Sequence, residues 1–289
     1  LSFAASFIFF YGDFEMKRKN TILLSTPYGL WMLGFTIIPL LMILYYGLTG
    51  RDGEFTFENL KLIATEENLK ALWLSIRLSL LSTLLCLIIA YPLAMILRNT
   101  KFKNSRFMVM LFIMPMWMNS LLRIIAWQNI LERKGVLNTF LEFLHLPALN
   151  IINSPAAIVL GMVYDFLPFM ILPLYNTLVK IDENVINAAH DLGANNFHTF
   201  TKIIFPLSIP GVISGITMVF VPSLTTFVIS DILGGSKVLL IGNIIEQQFQ
   251  KLNNWHSGSG LSLVLMVFVL ISMALVGKYD KGEGSANVW

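Results

Sequence analysis

The chain has 289 residues, 56% of them hydrophobic and only 13% charged, with a mean hydropathy of +0.71. That balance excludes an ordinary water-soluble globular domain and makes lipid the surrounding solvent. The net charge of +3 is spread between apolar runs, which argues against a nucleic-acid partner, and the single cysteine, Cys86, excludes an intrachain disulfide and a cysteine metal cluster.

Residues 1–20 read as an N-terminal tail. Phe3 to Phe10 is apolar but too short to span a bilayer, while Met16-Lys17-Arg18-Lys19 has the form of a second start, so residues 1–15 are expected to lie upstream of the native start. A hydrocarbon core about 30 Å thick needs roughly 20 apolar residues per helix. Six stretches qualify, at 22–48, 71–97, 107–128, 155–178, 207–230 and 260–277. The third is interrupted by Pro115 and ends near Arg123. The expected fold is all-α and polytopic, with one transmembrane domain over 21–277 and a C-terminal tail at 278–289. Membrane lipid is its first partner.

Orientation follows from the basic residues, which are enriched in cytoplasmic flanks. Alternate segments carry Lys17, Arg18 and Lys19, then Arg98, Lys101, Lys103 and Arg106, then Lys180 and Lys202, then Lys278 and Lys281. The opposite set has fewer cations and, in its first loop, the acids Asp52, Glu54, Glu58, Glu66 and Glu67. Both termini, and the loop at 180–206, are therefore expected in the cytoplasm.

That loop is the most organised feature of the sequence. Asp182 suits an N-cap, Glu183 the positive end of a helix, and Gly193 its termination. A second short helix is expected to carry Phe197, Phe200, Ile203 and Ile204, with Pro206 and Pro210 marking re-entry into the membrane. Ala188 and Ala189 have small side chains, so another surface can approach the backbone there. The bland alternative is an amphipathic loop lying on the membrane.

Ala188-Ala189, Gly193, Ile203 and Pro206, at these spacings, resemble the cytoplasmic loop of binding-protein-dependent ABC importer permeases. The family pattern is Glu-Ala-Ala, three residues, Gly, nine residues, Ile-x-Leu-Pro; this chain has Asn187 in place of the Glu and Phe205 in place of the Leu. A wider likeness, over roughly 21–277, is to the B-type permease subunit of spermidine/putrescine importers. It is carried by Pro115 to Arg123, Tyr164 to Tyr175, Ser230 to Gly235 and Leu240 to Asn243. The resemblance implies a type I ABC importer permease fold in the cytoplasmic (inner) membrane. It also implies a loop helix, with Asn187, Ala188, Ala189, Gly193, Ile203 and Pro206, that couples to an ATPase dimer. The further partners implied are a C-type sister permease and an extracytoplasmic polyamine-binding protein.

A polyamine path needs carboxylates, carbonyls and aromatic faces. Asp165 lies mid-span, where a charge is a functional hypothesis by default; the alternative is an ion pair with Arg77 or Arg123. Asp231 stands ahead of Gly234 and Gly235 at the outer end of the fifth span, either on the path or satisfied by its own backbone. Trp117 and Tyr164 are of a type that lines such a path, and equally of a type that packs or anchors at an interface. Pro115, Pro168 and Pro173 can expose carbonyls or merely kink helices.

No Gly-x-x-x-x-Gly-Lys-Ser/Thr run is present, so ATP is expected to be used by a partner and the chain is not expected to be an enzyme or to bind a cofactor. His145, His190, His198 and His256 lack zinc-helix spacing, so no metal site is expected and each is expected at solvent or lipid headgroups. The alternatives are an ABC permease for another small solute, or a secondary transporter or channel using Asp165 as a proton or cation site. The loop separates the last two from the first.

Overall fold

The computed structural model describes residues 26–99, 105–235 and 237–277. The N-terminal tail with Met16, the basic residues Lys101 and Lys103, and the C-terminal tail lie outside the described residues, as does the side chain of Arg106.

Helix α1 spans Thr26–Leu48, followed by the short α2 at Glu58–Lys61 and the long α3 at Glu66–Asn99. Next come α4 at Ser105–Ile113, α5 at Ser120–Leu131, α6 at Val136–Phe143 and α7 at Pro155–Val179. The loop helix α8 covers Glu183–Asp191, and α9 runs from Asn196 to Thr225. Two short helices, α10 at Val228–Leu233 and α11 at Ile241–Gln250, precede α12 at Trp255–Gly277. Five of these helices are long and apolar enough to cross a membrane, or six spans if the bent α4 to α6 segment counts as one.

Two sequence expectations are corrected here. The stretch 107–128 is interrupted after Pro115, as expected, but does not continue as one span: the chain bends by 96° between Met110–Trp117 and Ser120–Phe143. Pro115 lacks the N–H that would continue the ladder, and the Asn119 side chain accepts from the Leu121 N–H at 2.9 Å, starting a new helix in a new direction. The second correction concerns 196–230. The separate loop helix and a span at 207–230 are replaced by the continuous α9, which stops at Thr225 because Thr226 turns extended.

A π-turn makes that continuity possible. Pro206 cannot donate to the carbonyl four residues back, and the chain widens over Phe200–Ile204 so that the Phe205 N–H reaches the Phe200 carbonyl. The same solution recurs in α1, where the π-turn Leu33–Ile37 precedes Pro39.

Helices α3, α7 and α9 pack against one another and form the centre, while α1 rests on α12. More than half of the most apolar stretch of α7 is buried within the chain, 56%, against 0% for α1, so α7 is the axis and α1 the outermost helix. The contacts use small residues. Cys86, Ala90 and Ala94 recur every fourth position on α3, all fully buried, and Gly211 and Gly215 do the same on α9. A Cβ at Gly211 would stand 2.6 Å from Thr177 Oγ1 and 2.9 Å from the Pro173 carbonyl, and one at Gly215 would stand 2.5 Å from Met170 Sδ. Hydrocarbon tails are as apolar as leucine, so burial from lipid brings no hydrophobic gain, and close packing of small residues supplies the attraction instead. Tyr91 on α3 adds a 2.7 Å hydroxyl–hydroxyl hydrogen bond to Ser208 on α9.

At the opposite end of the bundle, polar side chains close the helix ends. Asn59 Nδ2 donates to the carbonyls of Gly47 and Thr49 at 3.3 and 2.9 Å. His256 Nδ1 lies 2.7 Å from the Thr49 carbonyl and 3.1 Å from that of Tyr46. His256 is therefore half-buried against the end of α1, because the last carbonyls of a helix need partners.

Replacing Gly211 with leucine is expected to force α7 and α9 apart at a cost of about 1–3 kcal/mol. A fall in the thermal midpoint of the detergent-purified protein, compared with a leucine at the exposed Met218, measures it.

Candidate functional site

Two regions gather polar and exposed residues: the α8 loop and the ring of short elements at the other end. In the loop, Asp182 caps α8 by accepting from the Asn184 N–H at 2.9 Å, and Glu183 occupies the first turn. Gly193 closes it with φ +85°, a backbone region open to glycine. Its N–H bonds the His190 carbonyl at 2.9 Å and the Ala194 N–H bonds the Ala189 carbonyl at 3.0 Å, the paired closure of a Schellman motif. Asn195 then caps α9 by accepting from the His198 N–H at 2.8 Å. Arg98 Nη2 donates to the Ile181 carbonyl at 3.2 Å, tying the loop to the end of α3.

Asn187, Ala188 and Gly193 face outward, Ile203 is half-buried and Pro206 is exposed. Ala189, expected to share the open face, is instead buried against the bundle. Successive residues turn by about 100° around a helix, which carries Ala189 to the inner face while Asn187 and Ala188 stay out. The outward face also carries Leu192, 90% exposed, and Phe197, 71% exposed. Two large apolar side chains so bare at the polar end of the bundle mark a contact surface. Leu192 had no signal in the sequence beyond its position before Gly193.

On the membrane side, Asp165 of α7 pairs with Arg123 of α5 at 2.6 Å, with both side chains almost fully buried. Arg77 is not its partner; that guanidinium lies 4.8 Å from the centre of the Trp73 ring. Arg123 Nε and Nη1 make no hydrogen bond among the described residues. Tyr164 packs edge-on against Trp127, with ring centres 5.2 Å apart, and borders an apolar groove of about 640 Å³ between α3 and α7. Trp117, 72% exposed, sits in the turn that breaks the third span. The four residues are thus not brought to one pocket. Tyr164 and Asp165 share α7, and α10 with Asp231 packs on α7 and on α5, while Trp117 lies in the turn before α5.

Asp231 is not satisfied by its own backbone. Its Oδ1 accepts from Asn243 Nδ2 at 2.7 Å, and the same amide nitrogen donates to the Phe227 carbonyl at 3.0 Å. Asn243 Oδ1 in turn accepts from Ser230 Oγ at 2.5 Å and from the Leu240 N–H at 3.0 Å. Ser75 on α3 receives the Ile241 N–H at 2.9 Å, fixing α11 to the core. Asn243 is completely buried, the hub on which the outer elements turn, and sequence reading had it only as part of a wider likeness.

Residues 82–281 match the family described as binding-protein-dependent transport system inner membrane component. The chain belongs to that family. It is 38% identical to the spermidine/putrescine transport system permease protein PotB of Haemophilus influenzae over 260 residues, covering 87% of this chain and 91% of that one. PotB of Escherichia coli K12 is 37% identical over 82% of this chain and 89% of its own length. Among solved structures, a chain of a bacterial alginate ABC transporter, in complex with an alginate pentasaccharide-bound periplasmic protein, superposes with a TM-score of 0.77 at 14% identity. The match covers 91% of this chain and 95% of that one. That likeness speaks to the permease fold alone.

Two outcomes follow from the geometry of this permease. Gly193→Val places a β-branched residue in the left-handed region at a cost of roughly 1–2 kcal/mol; transport should be lost while membrane insertion, read by fractionation, persists. Arg123→Met strands a buried carboxylate and should destabilise the protein by about 3–5 kcal/mol. Adding Asp165→Leu should recover most of that loss in detergent unfolding.

Proposed function

We propose that this chain is the permease subunit of an ATP-driven importer of polyamines of the spermidine/putrescine class. It would form the translocation path with a C-type sister permease, receive substrate from an extracytoplasmic polyamine-binding protein, and couple through the 180–206 loop to an ATPase dimer. The observation that carries this reading is the likeness to PotB, which runs along nine-tenths of that relative's length.

Physical chemistry supports it. The sequence lacks a phosphate-cradling motif, so the energy of uphill transport must come through a contact with a motor, and the bare apolar side chains of Leu192 and Phe197 flank the α8 helix that would make it. Arg98, Lys180 and Lys202 stand at the same end of the bundle, which supports a cytoplasmic position for this loop and, with it, for both termini. Closure of the motor on ATP would draw the paired loop helices together and open the path outward, and hydrolysis would reset it. The substrate takes part only through its different affinity for the two states.

For the substrate, Asp231 supplies a half-exposed carboxylate that Asn243 orients through one oxygen. The other oxygen has no hydrogen bond among the described residues and suits an ammonium group. Trp117 would offer an aromatic face.

Cells lacking only this chain and other polyamine importers should lose uptake of labelled spermidine and putrescine, and restoration should return it only when ATP is replenished. Uptake that does not respond to restoration would refute the polyamine assignment. Asp231→Asn should raise the half-saturating concentration by about tenfold, and an unchanged value removes Asp231 from the path.

A further inference from the structure

Between the end of α9, helix α11 and helix α12 lies a cavity of about 520 Å³. Its walls are mostly apolar, with side chains such as Ile245, Leu265 and Met266 and the rings of Phe227 and Phe249; Thr225, Gln250 and Ser262 are its neutral polar residues and Glu246 is its one carboxylate. Glu246 Oε2 is buried and has no hydrogen-bond partner among the described residues. The ion pairs found there are Lys70–Glu66 and Arg123–Asp165, neither of which involves it. The nearest cation along the chain, Lys251, follows the end of α11 and is exposed, five residues on and so turned well away from Glu246.

A carboxylate held in an apolar wall without a counter-charge is costly, and natural proteins pair such groups. A cation that complements this oxygen has to enter a pocket of this size, lie against aromatic faces and leave an apolar remainder against aliphatic walls. A primary alkylammonium meets all three demands. A hydrated metal ion does not, since no group of three or more His, Cys, Asp or Glu side chains gathers around Glu246 among the described residues.

We infer that the Glu246, Phe227 and Phe249 cavity is a binding site for an alkylammonium group, a second cation locus beside Asp231. This rests on the polyamine reading and extends it. Asn243 connects the two positions. It lies three residues before Glu246, hence on a neighbouring part of the same helix face, and it holds both the Asp231 carboxylate and the Phe227 carbonyl. A substrate with several ammonium groups joined by methylenes has one group for Glu246, its hydrocarbon lying against the aliphatic wall of the cavity.

The test uses the complete importer in liposomes, with sister permease, ATPase and binding protein. ATP-dependent spermidine uptake by the unmodified complex is the reference; its absence would overturn the polyamine reading and this inference together. With it present, Glu246→Gln should raise the half-saturating spermidine concentration about tenfold or more, and Glu246→Asp should recover part of the loss. A lowered maximal rate with unchanged half-saturation would mean a structural role and overturn the site alone. A second measurement serves if Glu246→Gln fails to assemble. Ser262→Cys places a thiol on the cavity wall, and the native Cys86 is buried. A cationic methanethiosulfonate should label it faster than an anionic one, and spermidine should slow that labelling. Equal rates for the two reagents, or no protection by spermidine, would overturn the site.

Discussion

Every peptide group that enters hydrocarbon must find its hydrogen-bond partner within the protein, because the solvent offers none. This constraint fixes the helical form of the chain and also dictates how the helices depart from ideality. Where Pro39 and Pro206 remove a donor, a π-turn shifts the preceding N–H to the carbonyl five residues back. Where Pro115 interrupts the third span, the helix ends and Asn119 caps a new one. The last carbonyls of α1 are taken by Asn59 and His256 from two other elements. None of these polar residues is placed for solubility; each repairs a break in the backbone ladder.

The same constraint decides how the helices associate. With no hydrophobic gain from leaving lipid, attraction comes from close contact, and the central contacts run through Cys86, Ala90 and Ala94 on one side of α7 and Gly211 and Gly215 on the other. Tight packing makes α3, α7 and α9 a rigid unit. The loop helix α8 is fastened to that unit at both ends. Arg98 on α3 holds the Ile181 carbonyl, and α9 continues without a break from Asn195 into the membrane. Tyr91 joins α3 and α9 by its hydrogen bond to Ser208 and packs edge-on against Phe200 in the π-turn, ring centres 5.7 Å apart. Helix α8 is therefore tied directly to two of the three central helices.

The end of the bundle away from α8 is built on a different principle. Short elements are held by side chains, and one buried amide, Asn243, bonds to Ser230, Asp231, Phe227 and Leu240. A fully satisfied polar hub of this kind fixes geometry where regular secondary structure is too short to do so. It leaves Asp231 and Glu246, carried on α10 and α11, with fixed positions beside the core.

What the sequence by itself determined is whatever depends on composition and local spacing. The count of spans, the all-α class, the cap at Asp182, the stop at Gly193 and the alternation of basic loops are all legible, because each follows from hydropathy length or from a backbone rule that acts within a few residues. The edges of α9 and the break at 117–119 were not, since a proline can end, kink or widen a helix and only the surrounding packing selects among these. Tertiary structure alone decided that Arg123, not Arg77, faces Asp165, that Ala189 turns inward while Ala188 stays bare, that Asn243 is a buried hub and that Glu246 lines a cavity. Those facts rest on contacts between residues 12 to 166 positions apart, and no local pattern records which faces of distant helices meet.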